Sequence, residues 1–454
     1  MRRYWVKTIM ITAWITTVTL SFTSCEKDET NDHEQIQSEY TLMLYGCGGG
    51  DLDQYMQRNL EEMLLVGETE KVKMTWQIKY SAKYQNDPEK KGTQRFVVED
   101  KDGDLRVDEK ETFDASLPLY DPDNLADFIR WSKMKRPAKN YILILWNHGN
   151  GWFPTVDQPK SKAVLADDNI GGLGMSIDEL VAGIKKSDTH LKMVYYDACL
   201  MNMLENVCGL TEVSDYALGS AHSVPSLGGL YASLINGLNS NMDFETGIKK
   251  YCKNVIGHWN LYELKIDLAL TNLSKLAPVM TTLSKISNEL IMTYDKYKEA
   301  YDNADDNTYN VANKTAPFVD IISYVKNVAL MSENPKLINL SGELVQNADD
   351  AIVCSEITNA LSPQKTSWGV TLISDGTWRI KRENGETLIL YWNGTKELIT
   401  PTGEKTTSTW GSTGADSYEK LAFDKATNWS KWLRVKQPDK SDKDYKLLLS
   451  DKTF

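Results

Sequence analysis

The sequence predicts an α/β fold with a largely parallel central sheet flanked by helices. Short apolar runs alternate along the chain with segments of helical periodicity, as they do in successive β-α-β units. Two of these runs, 141–146 and 192–197, have the composition of strands that are buried on both faces of a sheet. Both stop abruptly in polar sequence, the first at Asn147-His148-Gly149 and the second at Asp197-Ala198-Cys199. Open α/β sheets carry their functional groups beyond the carboxyl ends of their strands, so we expect a site there.

The expected elements of the first part of the chain follow one another in the order that this fold requires. The expected strands are 40–45, 72–80, 94–99, 141–146, 192–197, 216–220 and 264–270. The expected helices are 52–65, 125–133, 177–186 and 200–210.

Capping and turn signals support several of these boundaries. Asp51 is expected to cap the first helix, Asp121-Pro122-Asp123 suits the first turn of the second, and Ser176 with Glu179 forms a capping box for the third. The segment Asp100-Lys-Asp-Gly-Asp104 is expected to be a hairpin turn. The polar segment 153–170 is expected to be an exposed loop.

The pattern changes behind residue 272. Residues 273–292, 319–330 and 336–353 have helical periodicity, whereas 367–374, 378–382 and 386–392 are expected strands. We therefore expect a core domain over 40–272 and a mixed helical and β-hairpin accessory region over 273–454.

The composition is that of a folded, acidic protein. With 454 residues, 41% hydrophobic and 25% charged, the chain is long enough for one large domain or two. The net charge of −12 and the absence of a basic stripe with interleaved aromatic residues argue against a nucleic-acid partner.

The first 24 residues have the organisation of a signal peptide. A positively charged start precedes the apolar stretch 9–20, which is too short to span a bilayer comfortably. Ser24 directly before Cys25 resembles the lipobox of bacterial lipoproteins, which predicts cleavage before Cys25 and lipidation of its thiol. The alternative is an ordinary signal peptide followed by an unmodified cysteine.

Residues 25–39 are expected to form an acidic tether, because they contain too few apolar residues to build a packed core. An acidic stretch directly behind the lipidated cysteine is similar to the surface-export signal of Bacteroidetes lipoproteins. We therefore expect a protein of the cell envelope, held at the outer membrane by its lipid and exposed at the cell surface, with no other contact to a membrane.

Cysteine usage argues against a disulfide scaffold and a metal site. Six cysteines are present, and an odd five remain once Cys25 is set aside, so at least one thiol stays free. No pair of cysteines or histidines has the spacing of zinc ligands.

Cys199 and His148 together supply the parts of nucleophilic catalysis. Attack of a thiolate on a carbonyl needs a nucleophile, a proton acceptor and donors for the oxyanion. Cys199 is the candidate nucleophile, His148 the candidate base, and the backbone N–H groups of Gly149 and Cys199 are candidate donors. Among five histidines, only His222 is a rival base. The alternative is a buried, inert Cys199 beside a structural histidine, and the presence of both residues at separate strand ends disfavours it.

With these two strand ends the chain resembles the clostripain family of cysteine peptidases, in the caspase-like clan. The motifs are Leu145-Trp-Asn-His148-Gly149 and Tyr196-Asp197-Ala198-Cys199, and further similarities lie at 42–45, 51–52, 61–63, 121–128 and 225–231. The resemblance covers about residues 40–270. It implies a caspase-like fold, a Cys–His dyad and cleavage of peptide or protein substrates after Arg or Lys. It also implies that no cofactor is required. Some members are activated by calcium, although no calcium site can be read here.

The resemblance also assigns roles to further residues. Asp197 matches the acid beside the nucleophile that helps to bind the basic side chain of the substrate. Leu227 stands where the family has a second specificity acid, and this departure weakens the expectation of a strict basic preference. Members often mature by self-cleavage between His and Cys, for which Lys160 and Lys162 are the candidate sites.

Two functions remain open on the sequence alone. The first is a lipid-anchored cysteine endopeptidase. The second is a surface lipoprotein that binds peptide or glycan on a peptidase-like scaffold without cleaving it.

Overall fold

The computed structural model describes residues 38–101, 104–152, 164–311, 318–361, 369–374, 377–381, 387–392, 397–399, 405–407 and 418–436. Ser38–Phe454 forms one compact unit. The predicted signal peptide, Cys25, most of the acidic tether, and the candidate cleavage residues Lys160 and Lys162 lie outside the described residues.

A nine-stranded sheet forms the centre of this unit. In spatial order its strands are β12 (Ile352–Ile357), β10 (Asp267–Asn272), β9 (Ser214–Gly219), β8 (Leu191–Asp197), β5 (Ala138–Trp146), β1 (Ser38–Cys47), β2 (Val72–Lys79), β3 (Thr93–Lys101) and β4 (Asp104–Phe113). The strands from β9 to β2 run parallel, and antiparallel pairs extend the sheet on both sides. The expected α/β fold with a largely parallel sheet is confirmed, as is the hairpin between β3 and β4.

Smaller strands lie outside the central sheet. They are β6 (Val164–Asp167), β7 (Leu173–Met175), β11 (Phe318–Asp320), β13 (Thr371–Ile373), β14 (Thr377–Lys381), β15 (Thr387–Trp392), β16 (Glu397–Ile399) and β17 (Lys405–Thr407). The last four form an antiparallel sheet of their own, which agrees with the β-hairpins expected in the C-terminal region.

Helices cover both faces of the central sheet. They are α1 (Asp53–Val66), α2 (Pro122–Lys135), α3 (Ile177–Lys186), α4 (Leu204–Val207), α5 (Tyr231–Asn239), α6 (Phe244–Asn260), α7 (Leu276–Asn307), α8 (Ile321–Ser332), α9 (Pro335–Ala351), α10 (Ala422–Thr427) and α11 (Trp429–Val435). Within the ranges described, none of these helices combines the length and hydropathy needed to cross a membrane.

Burial on both faces explains why the central strands are continuously apolar. In β5, Leu143 and Leu145 pack into the apolar cluster that contains α2 and α3, whereas Ile144 and Trp146 pack into the opposite cluster with α1, α5 and α6. All four side chains are buried. Alternate residues of a strand face opposite sides, so a strand covered on both sides needs an apolar residue at every position.

The helix starts follow the predicted capping chemistry, with one exception. Asp121 accepts a hydrogen bond from the N–H of Asp123, and Ser176 with Glu179 forms the capping box. Asp51 does not cap the first helix, because Leu52 occupies the N-cap position. The carboxylate of Asp51 is engaged elsewhere, as described below.

Two further expectations are wrong for physical reasons. The helix expected over 200–210 is reduced to α4 and a short 3-10 turn, because the N–H groups of Leu200 and Asn202 donate to the loop behind β9 instead of to a helix. The exposed loop expected up to 170 contains β6, in which Leu165 and Asp167 are fully buried.

The C-terminal region shares the central sheet. The expected helix over 336–353 ends at Ala351, and the chain continues as β12, which pairs with β10. The expected boundary between residues 272 and 273 therefore runs through one sheet. The strand β10 lies before this boundary, β12 lies behind it, and the two strands are neighbours.

Candidate active site

The register of β5 and β8 brings His148 and Cys199 together. Trp146 and Asp197 are paired partners in this parallel ladder, and His148 and Cys199 each follow two residues later. Both side chains line the same two cavities at the carboxyl edge of the sheet. The two strand ends singled out in the sequence are thus adjacent in the fold.

The Cys199 thiol is half-buried and held by the backbone of Val224. The N–H of Val224 donates to Sγ at 3.3 Å, and Sγ lies 3.6 Å from the carbonyl oxygen of the same residue. Burial raises the pKa of the Cys199 thiol, and the Val224 hydrogen bond offsets part of this effect. The thiol is therefore protonated at neutral pH.

The backbone directly behind the nucleophile is sharply turned. Leu200 has a φ of +62°, which non-glycine residues rarely adopt, and its N–H donates to the carbonyl oxygen of His222 at 3.0 Å. This turn keeps Cys199 at the tip of the strand instead of in the first turn of a helix.

His148 pairs with Asp51. Its Nε2 lies 2.8 Å from Oδ1 of Asp51, and the two side chains are 43% and 70% exposed. Such an exposed pair orients the ring more than it stabilises the fold. A hydrogen bond from Nε2–H to the carboxylate selects the tautomer in which Nδ1 is the basic nitrogen. Sequence reasoning missed this role of Asp51, because the two residues lie far apart in the chain.

Gly149 allows the His148 segment to touch the Cys199 segment. A Cβ at this position would lie 2.4 Å from the carbonyl oxygen of Cys199 and 2.8 Å from Cγ of Met201. Only glycine permits this approach. Gly149 lines the larger cavity together with Cys199.

The larger cavity has a volume of about 530 Å³. Its lining includes His148, Gly149 and Cys199 from the two strand ends, and Ala166, Asp168 and Gly172 from the segment 164–172. We call the segment 164–172 the strap. Burial raises the pKa of Asp168 within it.

A buried ion pair fastens the strap to the sheet. Lys79 at the end of β2 and Asp167 of the strap are in contact, and both side chains are 0% exposed. Lys79 Nζ also donates to the carbonyl oxygen of Leu117, and Asp167 Oδ1 accepts from the N–H of Asn169. This pairing explains why a polar segment runs through the interior.

The smaller cavity, of about 220 Å³, has Asp197 at its base. It lies between the two strand ends and the tight turn 225–228, and its lining is Leu52, Trp146, Asn147, His148, Asp197, Ala198, Cys199, Val224, Pro225, Ser226 and Gly228. We call this cavity the Asp197 pocket. Cys199 is among its lining residues, so the pocket adjoins the thiol.

Asp197 is buried with one oxygen unused. Its Oδ2 accepts from the N–H of Gly229 at 2.9 Å and from the hydroxyl of Tyr231 at 2.6 Å. Oδ1 is buried and has no hydrogen-bond partner within the part of the chain that the structure describes. Burial raises the pKa of Asp197 to about 6, against the effect of the two hydrogen bonds. Burial thus disfavours the charged form of a carboxyl group that has no cationic partner within the described residues.

Leu227 lies in the turn but does not line the pocket. Its half-buried side chain packs against the apolar cluster on the α1 side, and its carbonyl oxygen accepts from Nδ2 of Asn59 at 2.9 Å. The position at which a second acid was considered therefore supplies packing in this chain.

His222 is buried away from both cavities that contain the thiol. Its Nδ1 lies 3.0 Å from Oδ1 of Asp267, and its ring stacks on Tyr309. The side chain is thus engaged in the support of the loop behind β9, whereas its carbonyl oxygen accepts from Leu200. His148 is the histidine that shares a cavity with Cys199.

Within the described ranges, no group of three or more His, Cys, Asp or Glu side chains is arranged to hold a metal ion.

Comparison with known families identifies a relationship over most of the chain. The profile of the clostripain family of C11 peptidases matches residues 44–435. None of the curated proteins compared with the chain matches it significantly.

Solved structures share this fold. A secreted C11 cysteine protease from Bacteroides thetaiotaomicron, called iotapain, has 16% identity and a TM-score of 0.60, over 86% of this chain and 99% of that one. A secreted C11 protease from the same species in complex with an irreversible peptide inhibitor has 14% identity and a TM-score of 0.58, over 86% and 99%.

An inactive zymogen C11 protease from Parabacteroides distasonis has 15% identity and a TM-score of 0.58, over 86% of this chain and 98% of that one. At these identities the three likenesses show the fold alone. The fold that the resemblance implied is confirmed.

Proposed function

The chain belongs to the clostripain family of cysteine peptidases, and from this premise we propose that it is an endopeptidase that cleaves after lysine or arginine through Cys199 and His148. One observation carries the proposal. The paired strand ends place a thiol and an imidazole at a cavity whose base holds a buried carboxylate with an unused oxygen.

The dyad performs the first half of the reaction. Nδ1 of His148 takes the thiol proton of Cys199 while Sγ attacks the carbonyl carbon of the scissile bond. The tetrahedral oxyanion accepts hydrogen bonds from the N–H groups of Gly149 and Cys199. The C–N bond then breaks, the leaving amine takes the proton from His148, and a thioester to Cys199 remains.

Water completes the cycle. His148 accepts a proton from a water molecule that attacks the thioester, the C–S bond breaks, and the peptide leaves as a carboxylic acid. Sγ recovers its proton from His148. Asp51 orients the imidazole throughout and stabilises its charged form, because their 2.8 Å contact strengthens when the ring is protonated.

The Asp197 pocket supports a basic residue before the scissile bond. A lysine or arginine side chain that enters it would pair with Oδ1 in a site from which water is excluded, and this pairing would lower the pKa of Asp197 and keep it ionised. Oδ2 is already occupied by Gly229 and Tyr231, so a bidentate contact with guanidinium is not available. With no acid at Leu227, we expect lysine to be accepted at least as well as arginine.

Maturation by self-cleavage follows from the same site. The segment between Trp152 and Val164 carries Lys160 and Lys162 and joins the His148 strand end to the strap, whose residues line the cavity of the thiol. We propose cleavage after one of these lysines.

The N-terminal sequence and the fold neighbours support an envelope location. Cys25 follows a signal-peptide-like segment, and the two Bacteroides thetaiotaomicron proteases are described as secreted. We propose that the mature chain is anchored through a lipid on Cys25 at the outer membrane and meets peptide or protein substrates outside the cytoplasm.

A library of peptides in which each position is varied in turn tests the proposal. Wild type is expected to cleave after Lys and Arg, Cys199→Ala is expected to be inactive and uncleaved at Lys160 or Lys162, and Cys208→Ala is the control that removes a buried thiol elsewhere. Cleavage by Cys199→Ala would contradict the assignment of the nucleophile.

Binding without cleavage is a second candidate, favoured by the raised pKa of the Cys199 thiol. It predicts that a lysine-containing peptide binds to wild type and to Cys199→Ala with equal affinity and that neither releases a product. Turnover by wild type alone would exclude it.

A further inference from the structure

Cys252 and Cys354 lie against each other at the interface of α6 and β12. Cys252 is fully buried on the sheet-facing side of α6, and Cys354 is half-buried on β12, the edge strand of the central sheet. Both belong to the same apolar cluster, and their thiols share a hydrogen bond. The two sulfur atoms are therefore direct neighbours, although 101 residues separate them in the sequence.

A β-bulge turns Cys354 towards α6. Leu270 of β10 pairs with Cys354, whereas the next residue, Thr271, pairs with Ile352, so Val353 is an extra residue in β12. Successive residues of a regular strand face opposite sides of a sheet. Here Ile352 packs on one side, and both Val353 and Cys354 pack on the α6 side. Bulges re-aim side chains in this way.

The two thiols differ in accessibility and in acidity. The hydrogen bond from Cys252 and that from the N–H of Leu270 lower the pKa of the Cys354 thiol, whereas burial raises the pKa of Cys252. The half-buried thiol is therefore the one that an external reagent reaches, and it has the greater thiolate character. The buried thiol is placed to resolve a mixed disulfide formed at its neighbour.

We propose that Cys252 and Cys354 form a disulfide bond that crosslinks α6 to the edge strand β12. The oxidant is a disulfide, either of low molecular weight or on a protein. The Cys354 thiolate attacks one of its sulfurs and releases one thiol, and the Cys252 thiolate then attacks Sγ of Cys354 and releases the second. Two protons leave the cysteines, the oxidant is reduced to two thiols, and one S–S bond replaces another.

The crosslink uses two of the five cysteines behind Cys25 and leaves three as thiols. Cys199 remains free for its own role, and Cys47 and Cys208 are buried, the latter in contact with the sulfur of Met280. The bond would close a loop of about 100 residues, which restricts the unfolded chain. It would also fix β12, which is an edge strand among the described strands of the central sheet. The crosslink is independent of the proposed peptidase activity.

Oxidation of the reduced chain tests the proposal. The full chain is reduced, freed of reductant and incubated with glutathione disulfide, and peptides are then mapped by mass spectrometry without reduction. We expect a peptide pair joined through Cys252 and Cys354 and the loss of two titratable thiols under denaturing conditions. Cys208→Ala is the matched control and should form the same pair. The thermal midpoint of the oxidised chain should fall by about 5 °C on reduction, in wild type but not in Cys354→Ser.

Three outcomes would overturn the proposal. They are a stable glutathione adduct at Cys354 without the crosslink, a joined pair that involves another cysteine, and two thiols that stay unmodified in the native chain while Cys199 reacts. Cys354→Ser changes a half-buried residue, so we expect this variant to fold. The stability comparison can therefore be made even if Cys252→Ala does not fold.

Discussion

Trp146 and Asp197 are direct partners in the parallel ladder of β5 and β8, and this pairing sets His148 beside Cys199. It also sets Asp197 below the thiol, because the residue that pairs with Trp146 is the last one of β8. One register therefore positions the proposed base, the proposed nucleophile and the carboxyl group of the Asp197 pocket. A slip of the register would separate His148 from both Cys199 and Asp197.

Asp197→Asn tests the floor of the pocket. The amide can still accept from Gly229 and Tyr231 but has no charge for a cationic side chain. We expect kcat/KM for lysine and arginine peptides to fall about 100-fold or more, since a desolvated ion pair is lost. Asp168→Asn in the strap is the control and should change kcat/KM less than about tenfold. An equal loss in both variants would mean that Asp197 does not select the substrate.

The pH dependence of stability reports the burial of Asp197. Its pKa is about 6 in the folded chain, above the ordinary value of 3.8, so the folded state holds the proton more tightly than the unfolded state. The associated stability is fully present below about pH 3.8 and is lost as the pH rises to about 6. Urea unfolding should show wild type losing about 3 kcal/mol relative to Asp197→Asn across this window. A difference that is constant with pH would contradict a buried carboxyl.

A comparison of Gly228→Ala with Gly171→Ala separates the cost of a steric clash from the cost of a strained backbone. Gly228 has a φ of +66°, and a Cβ there would lie 2.4 Å from Oδ2 of Asp197. Gly171 has a φ of +76°, but a Cβ there would meet nothing within 4 Å. Gly171→Ala should therefore cost only the strain, about 1 kcal/mol, whereas Gly228→Ala should cost about 3 kcal/mol and weaken selection of lysine. Equal losses of unfolding free energy in the two variants would show that the Asp197 side chain moves away from the added methyl group at no cost in free energy.

Replacing only one partner of the Lys79–Asp167 ion pair should strongly lower the free energy of unfolding. Lys79→Met leaves a buried carboxylate without its partner, and we expect a loss of about 3–5 kcal/mol in unfolding free energy. Lys79→Met combined with Asp167→Leu should recover much of that loss. Lys185→Met breaks the exposed pair with Glu212 and is the control, with an expected loss below about 1 kcal/mol. Equal losses in Lys79→Met and Lys185→Met would mean that the strap is not held by this pair.

The strand ends could be predicted because their signal is local. Each is an apolar run that stops in polar residues, and burial on both faces of a parallel sheet demands such a run. Cys199, His148 and Asp197 therefore followed from the sequence with the family resemblance. The polar turn between β3 and β4 and the capping box at Ser176 were readable for the same reason.

The remaining features depend on partners far away in the chain. The burial of Asp167 depends on its ion pair with Lys79. Asp51 does not cap the first helix, and its carboxylate pairs with His148 instead. Neither pairing produces a periodic or compositional pattern in the amino-acid sequence. The helices α5 and α6 were absent from the expected elements. The strand β12 was also missed, with its first two residues placed in a helix, because its position at the sheet edge is set by β10.

The most direct test of the account is the rate at which a lysine peptide with an alkylating group in place of the scissile bond labels the chain. Mass spectrometry should locate the label on Cys199. The rate at pH 7 should fall about 100-fold or more in His148→Ala and stay within about twofold in His190→Ala, an exposed histidine at the other end of β8. Labelling of another cysteine, or an unchanged rate in His148→Ala, would contradict the claim that His148 activates Cys199.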